Sequence, residues 1–361
     1  MRGGLLLYVK LSLRFKKMRK GAFMEYPRLI SVGGFRDGHV QGIAVDAKRE
    51  YMYFSFTTRL VKTDMQGRVV GSVKGLAGHL GCIAYNYEDG RVYGSLEFKH
   101  DSIGRGILAS VGREDDIRDG FYAAIFDVDK IVRNDMDAEA DGVMTAVYLD
   151  EVYRDYSAEA HRFGCSGIDG MTFAPAFGDE KGKSYLYVAY GIYSDVNRDD
   201  NDDQVLLKYD VSDWKEYERP LCQKNMHRVG PRRPDGKYFL RTGNTTYGVQ
   251  NLEYDADSGL ILAAVYRGRK ESFPNYPMFL IDMKKAPSAD GEKERVFLAD
   301  IGELDEKSGI RGVNFPYGTT GMISLGKGEF YFSEDYHKED GFGTVVALYR
   351  FDRAKATFEK V

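Results

Sequence analysis

The chain has 361 residues, 43% hydrophobic and 13% aromatic, ample for the core of one large all-β domain or two smaller ones. Its formal charge of -4 hides an asymmetry: residues 1–20 carry seven Lys or Arg and no acid, so the remainder carries -11. A net-acidic body argues against nucleic acid as the main partner.

In the first residues, Met1 to Lys10, the apolar run stops at Lys10 and no small-residue cleavage site follows. That run is too short for a signal segment or a bilayer span. Residues 1–26 are therefore expected to be a disordered basic extension, with Met18 and Met24 offering later starts, and 27–361 a single domain. A cytoplasmic location without membrane association is expected. Cys82, Cys165 and Cys222 are odd in number and lack metal-type spacing, which reads as free thiols in a reducing compartment.

From residue 28 the chain repeats one shape. His39-Val-Gln-Gly-Ile-Ala-Val-Asp46 alternates apolar and small residues, passes through a charged turn and continues into Tyr51-Met-Tyr-Phe-Ser55. The shape returns at 79–86, 167–174, 248–255 and 319–325. Period-two alternation bounded by Gly and Asp turns is the signature of strands. Each copy begins a blade of four antiparallel strands: 42–46, 51–56, 60–64 and 68–73 in the first. Blade two carries long insertions at 98–120 and 128–142. Blade three has its outer strand at 237–242 after an excursion over 211–236. Blade four ends with Arg295–Leu298, and blade five contains 329–333 and 345–351. Residues 28–33 and 357–361 both read as outer strands, and one of them closes the last blade. The expectation is a β-propeller of five blades, or six if 211–246 holds a degenerate one.

In such a ring the starts of the inner strands and the loops joining second to third strands share one face, around the mouth of the central channel. Reactive residue types concentrate there: His39, Gln41, His79, Asp169, Gln250 and Asn251 from strand starts, and Arg59, Glu97, Lys99, His100, Arg267, Arg269, Glu334, Asp335 and His337 from loops. His161 joins them on the link into blade three. His39 and His79 occupy equivalent positions in adjacent blades. With Asp169 they suggest one divalent metal (Ca, Zn or Mn) at the channel axis; the alternative is that both imidazoles bond backbone. Glu253 stands where other copies have Ala44, Ala84, Thr172 and Ser324, so it is either paired or a proton-transfer group with a raised pKa. Arg267 and Arg269 could grip an anionic group, or balance the acidic loops.

Other stretches exclude chemistry. The run Asp195–Asp203 lacks the turn glycine and the bidentate Glu of a calcium loop, having Asp200 and Leu206 there. Gly104-Arg-Gly-Ile-Leu-Ala109 lacks the surroundings of a dinucleotide fold. No nucleophile-elbow, Walker or zinc-protease motif is present.

The inner-strand repeat followed by Tyr-x-Tyr-x-Ser resembles β-propeller proteins over residues 27–361. The resemblance is at the level of fold. It brings to mind lactonase-like six-bladed propellers, which hold an axial divalent metal, and five-bladed sugar-cleaving propellers, which use acids around the mouth; no motif of either is matched closely enough to carry residues over. The function expected is a hydrolase of lactonase or glycosidase type acting on a sugar, sugar acid or lactone. Catalysis would fall to Glu253, Glu334 and Asp169, and substrate binding to Gln41, Arg59, Glu97, His100, Gln250, Asn251, Arg267, Arg269, Asp335 and His337. The alternative is a non-catalytic propeller that binds a small polar or carbohydrate-like ligand or a protein segment. Oligomeric state is not assigned.

Overall fold

The computed structural model describes residues 26–113 and 117–361; the basic extension expected over 1–26 lies, but for Tyr26, outside the described residues. Five small antiparallel sheets stand around a common axis, each begun by one copy of the repeat. Blade one runs Val40–Val45, Tyr51–Phe56, Arg59–Asp64, Val69–Lys74. Blade two runs His79–Asn86, Arg91–Phe98, Gly120–Phe126, Met144–Tyr148. Blade three runs Cys165–Ala174, Tyr185–Ile192, Asp203–Tyr209, Gly236–Arg241. Blade four contains Thr245–Asp255, Leu260–Arg267 and Met278–Asp282, and blade five Met322–Gly326, Glu329–Lys338 and Gly341–Asp352.

Five hydrophobic clusters fill the five gaps between neighbouring blades. Tyr53 and Leu80 belong to the gap between blades one and two, Cys82 and Val188 to the next, Tyr187 and Ile261 to the next, Leu262 and Phe330 to the fourth, and Phe54 and Tyr331 close the ring. This count settles five blades over six. The 211–246 stretch holds a short 3-10 turn at Trp214–Glu216, the outer strand of blade three and the start of blade four, not a sheet of its own. The recurring tyrosine supplies both area and a polar tip. Tyr187 donates to the Pro175 carbonyl at 2.9 Å, and Tyr331 to that of Pro27 at 2.8 Å, so these two hydroxyls are satisfied.

The recurring glycine has a steric reason. A Cβ at Gly42 would lie 2.8 Å from the Ile83 nitrogen of the next inner strand, because the inner strands converge on the axis and their backbones nearly touch.

Both termini close the ring. The outer edge of Gly341–Asp352 pairs with Leu29–Phe35 along residues 342–347 and with Thr357–Lys360 along 349–352. The strands sit end to end, with Leu348 donating to the Arg28 carbonyl and Val361 to that of Leu348. The expectation that one terminus closes the blade is thus corrected, and the exposed edge is covered over its whole length. A second correction concerns Arg295–Leu298. Lys293–Val296 pairs in parallel with the outer strand of blade three, while only the adjoining Leu298 bridges to Ile281 of blade four. In the same manner the second insertion of blade two sends Met136–Asp137 to the edge of blade one.

Candidate functional site

At one end of the channel lies a cavity of about 420 Å³ lined by His39, Gln41, His79, Glu97, Lys99 and Asp169, together with Gln250, Tyr247 and Tyr266. Its position follows from a shared irregularity in the first four inner strands. In each, two residues oppose one on the second strand: Gln41-Gly42 against Ser55, Gly81-Cys82 against Ser95, Asp169-Gly170 against Ala189, and Gln250-Asn251 against Ala264. Such bulges re-aim a side chain out of the pleat. Gln41, Asp169 and Gln250 thereby reach the cavity, and blade two contributes Gly81, whose added Cβ would stand 2.5 Å from Asp169 Oδ1. Blade two leaves out a side chain where blade three places a carboxyl.

Glu97 enters from the second strand of blade two, opposite His79 in the register. It crosses to blade three, where its Oε2 accepts from the Ile168 amide at 2.9 Å. The approach depends on Gly167: a Cβ there would lie 1.9 Å from Glu97 Oε2, and its φ is +136°. Lys99 Nζ stands 2.6 Å from Glu97 Oε1 and 3.5 Å from Asp101 Oδ2, and donates to the Ser166 carbonyl at 2.9 Å. These contacts hold its pKa above the ordinary lysine value. Asp169 receives one amide hydrogen bond, from Gln250 Nε2 at 3.2 Å. Burial first, and then the charge of Glu97, raise Asp169 well above the ordinary carboxyl range.

Two carboxyls thus share one ammonium. Burial raises Glu97 too, but Lys99 at short range opposes that rise, so of the two carboxyls Asp169 is the one that more readily holds the proton. His79 Nδ1 lies 3.6 Å from Asp169 Oδ1 and 3.7 Å from Glu97 Oε1, buried and without a hydrogen-bond partner. Burial, then Lys99 and His39, push the pKa of His79 down to about 3, so the imidazole is neutral at any working pH. Burial likewise lowers His39, against the opposing charge of Asp335. One His39 nitrogen meets the Gln41 amide at 3.1 Å.

The sequence candidates separate clearly. His39, Gln41, His79, Glu97, Asp169 and Gln250 come together. Asn251 instead ties blades together, donating at 2.8 Å to the Gln41 and Thr319 carbonyls. Arg59 is committed to Asp37 and Asp135, and His100 to Asp119 at 3.0 Å. Glu334 accepts from Tyr349 and Lys360 at 2.8 and 2.6 Å. His337 stacks on Phe342, and His161 packs between Tyr156 and Tyr193. Arg267 and Arg269 are exposed, Arg267 bonding Asn275 and Asn314; Asp335 is exposed as well. None of these lines the cavity. Glu253 lies in a different cavity, at the opposite end of the channel. In the acidic loop Asp200, Asp202 and Asp203 pair with Arg198, Lys270, Lys293 and Arg295.

Among the described residues no group of three or more His, Cys, Asp or Glu is arranged to hold a metal ion.

Seven lining residues escaped the sequence candidates, among them Tyr247, Tyr266 and Ile103. Tyr247 follows from the bulge before Gly248; it is 46% exposed, with φ of +63°, a backbone cost that an aromatic residue rarely bears without a use. Tyr266 ends the second strand of blade four. The helix Ser102–Ser110, capped by Asp101 accepting from the Gly104 amide at 2.8 Å, brings Ile103 to the rim.

The chain is a β-propeller with a cavity at one channel mouth into which two histidines, two carboxyls and a lysine converge. No protein-family model matches it, and no curated protein matches it. Among solved structures it is similar to a functionally unknown protein from Desulfotomaculum acetoxidans, with 10% identity and a TM-score of 0.38 over 89% of this chain and 68% of that one. It is also similar to the Dos1 propeller, with 11% identity and a TM-score of 0.36 over 89% and 69%. The β-propeller domain of Cps50 (Swd1) from Myceliophteria thermophila gives 9% identity and a TM-score of 0.31 over 88% and 98%. These likenesses concern the fold alone. No helix among the described residues is long and apolar enough to cross a membrane.

Proposed function

We propose that the cavity at the Asp169 mouth is a hydrolytic site for a small neutral polar substrate, a sugar or a lactone. The observation that carries this reading is the placement of two buried carboxyls, Glu97 and Asp169, on either side of the His79 imidazole, with Lys99 beside only Glu97 at 2.6 Å. Asp169 gives its proton to the departing oxygen. Glu97 takes one from the attacking water, so the bond to the leaving group breaks as a new bond to water oxygen forms. After turnover Glu97 carries the proton and Asp169 is ionised, and exchange with solvent water restores the starting state; the neutral His79, 3.7 and 3.6 Å from the two carboxyls, packs between them. Gln41, Gln250 and Tyr266 supply hydrogen bonds, and Tyr247 a stacking face. A neutral substrate is favoured over a sugar acid because Lys99, the cation at this mouth, already faces Glu97, Asp101 and the Ser166 carbonyl.

The exposed Tyr247 favours a second reading, ligand binding without turnover. A panel of neutral aryl glycosides and lactones decides between them. Turnover of one class, lost by about 100-fold or more in Asp169→Asn, supports hydrolysis. Calorimetric binding of sugars with no turnover on the whole panel supports the second reading. Turnover that Asp169→Asn leaves intact refutes the first.

A further inference from the structure

The opposite mouth of the channel opens into a cavity of about 490 Å³ that no step of the proposed reaction uses. At its floor the equivalent strand positions carry Ala44, Ala84 and Thr172, small side chains that leave space, and Glu253 projects into it. Glu253 Oε1 accepts from the Ser324 amide at 2.8 Å. Tyr85, Tyr87 and Tyr254 line the walls, and Tyr87, 64% exposed, meets Tyr85 edge-on at 5.2 Å. The lining charges are lopsided: Glu88, Glu180, Asp255 and Asp257 accompany Glu253 against the guanidinium of Arg49, with Lys284 facing Glu180 at 3.7 Å from outside the lining. Arg49 is engaged, lying over the Tyr26 ring and donating to the Leu325 carbonyl.

We propose that this mouth is a second ligand site, one that takes a small organic cation, an ammonium group held between the tyrosine faces and the Glu253 carboxylate. Aromatic faces with an excess of acid are the surroundings that desolvate and hold an alkylammonium ion, and the volume lies in the range of small-molecule sites. Glu253 meets few fixed charges. Asp255 stands beside it on its own strand, with its oxygens accepting from the Ser258 amide and the Ser324 hydroxyl. Blade two adds Cys82, Tyr85, Tyr87 and Glu88, blade one Arg49, and blade three Glu180 at the rim; blade five contributes Ile323, Ser324 and Leu325, none of them titratable. Burial, reinforced by Asp255, lifts Glu253 to about 8. The carboxyl is therefore protonated at neutral pH, and an arriving cation expels that proton.

The test is calorimetric titration of the full chain at pH 7 with tetramethylammonium, and with tert-butanol as a neutral molecule of similar shape, in two buffers of different ionisation enthalpy. Tetramethylammonium is expected to bind at least ~10-fold more tightly than tert-butanol and to release close to one proton per site. Glu253→Gln is expected to abolish the proton release and weaken binding about 10-fold, and Tyr87→Ala to weaken it about 3- to 10-fold. Melting curves of both variants establish that they are folded. Absence of tetramethylammonium binding, equal binding of tert-butanol, or proton release that persists in Glu253→Gln overturns the proposal.

Discussion

Replacing Glu253 by Gln should stabilise the protein, by an amount that depends on pH in a definite way. The substitution keeps the oxygen that accepts from Ser324 and removes only the ability to ionise. In the unfolded chain the carboxyl titrates near the ordinary 4.5, and in the folded protein near 8. A carboxyl raised on folding costs nothing below about pH 4.5. The cost grows as pH rises from there to about 8, and is constant above. At pH 7 it is at most about 3.4 kcal/mol at 1.36 kcal/mol per pH unit, and about 2 kcal/mol once partial exposure is discounted. For a chain of this length 1 kcal/mol moves Tm by roughly 1–1.5 °C. Glu253→Gln should therefore melt about 3 °C higher than the wild type at pH 7, more than that at pH 9, and at the same temperature at pH 4. Differential scanning calorimetry at the three pH values reads this directly. A difference independent of pH, or a destabilised variant at pH 7, would refute the assignment of a protonated Glu253.

Other perturbations probe the remaining parts of the account. Lys99→Met leaves the buried Glu97 carboxylate without its counter-charge and should cost about 3–5 kcal/mol; adding Glu97→Gln should restore most of that, as denaturant titrations of the pair would show. Gly167→Ala puts a methyl group where Glu97 Oε2 sits, 1.9 Å away, and should cost about 1–3 kcal/mol while removing ligand binding at the Asp169 mouth, measured by calorimetry beside a melting curve. Phe358→Ala deletes a ring packed on Phe315, Phe330, Phe332 and Phe351 and should lose about 3–5 kcal/mol; a loss below 1 kcal/mol would mean that the C-terminal strand is dispensable for closure. Hydrolysis should fall as pH rises through the raised pKa of Asp169, because only the protonated carboxyl can donate. A rate that instead climbs through that range would assign the proton donor elsewhere.

The repeat made the fold legible. Small residues beside the axis, Tyr-x-Tyr-x-Ser and turn residues recur because every blade meets the same neighbours, so His39, His79, Asp169 and Gln250 could be sorted to one face without coordinates. Two kinds of information were not in the pattern. The first is which partner a charged loop residue finds: Arg59, Glu334 and Arg267 share the face of the site, yet Asp37, Lys360 and Asn314 engage them through side chains distant in sequence. The second is depth along a strand. Glu253 lies two residues past Asn251, far enough down the inner strand to face the other mouth, which spacing could have shown had the strand been followed past its bulge. The closure by both termini was hidden for a third reason: two short strands laid end to end read in sequence as rivals for one place. Tyr247 left a signal of its own, an aromatic residue beside a glycine at a bulge.

The most direct measurement is the rate of hydrolysis of neutral glycosides and lactones by the wild type, Asp169→Asn, Glu97→Gln and Glu334→Gln across pH 4 to 9. Activity in the wild type and in Glu334→Gln, lost by about 100-fold or more in Asp169→Asn and Glu97→Gln, is the outcome this account predicts. Activity that survives in Asp169→Asn and disappears in Glu334→Gln would move the chemistry away from the cavity and contradict it.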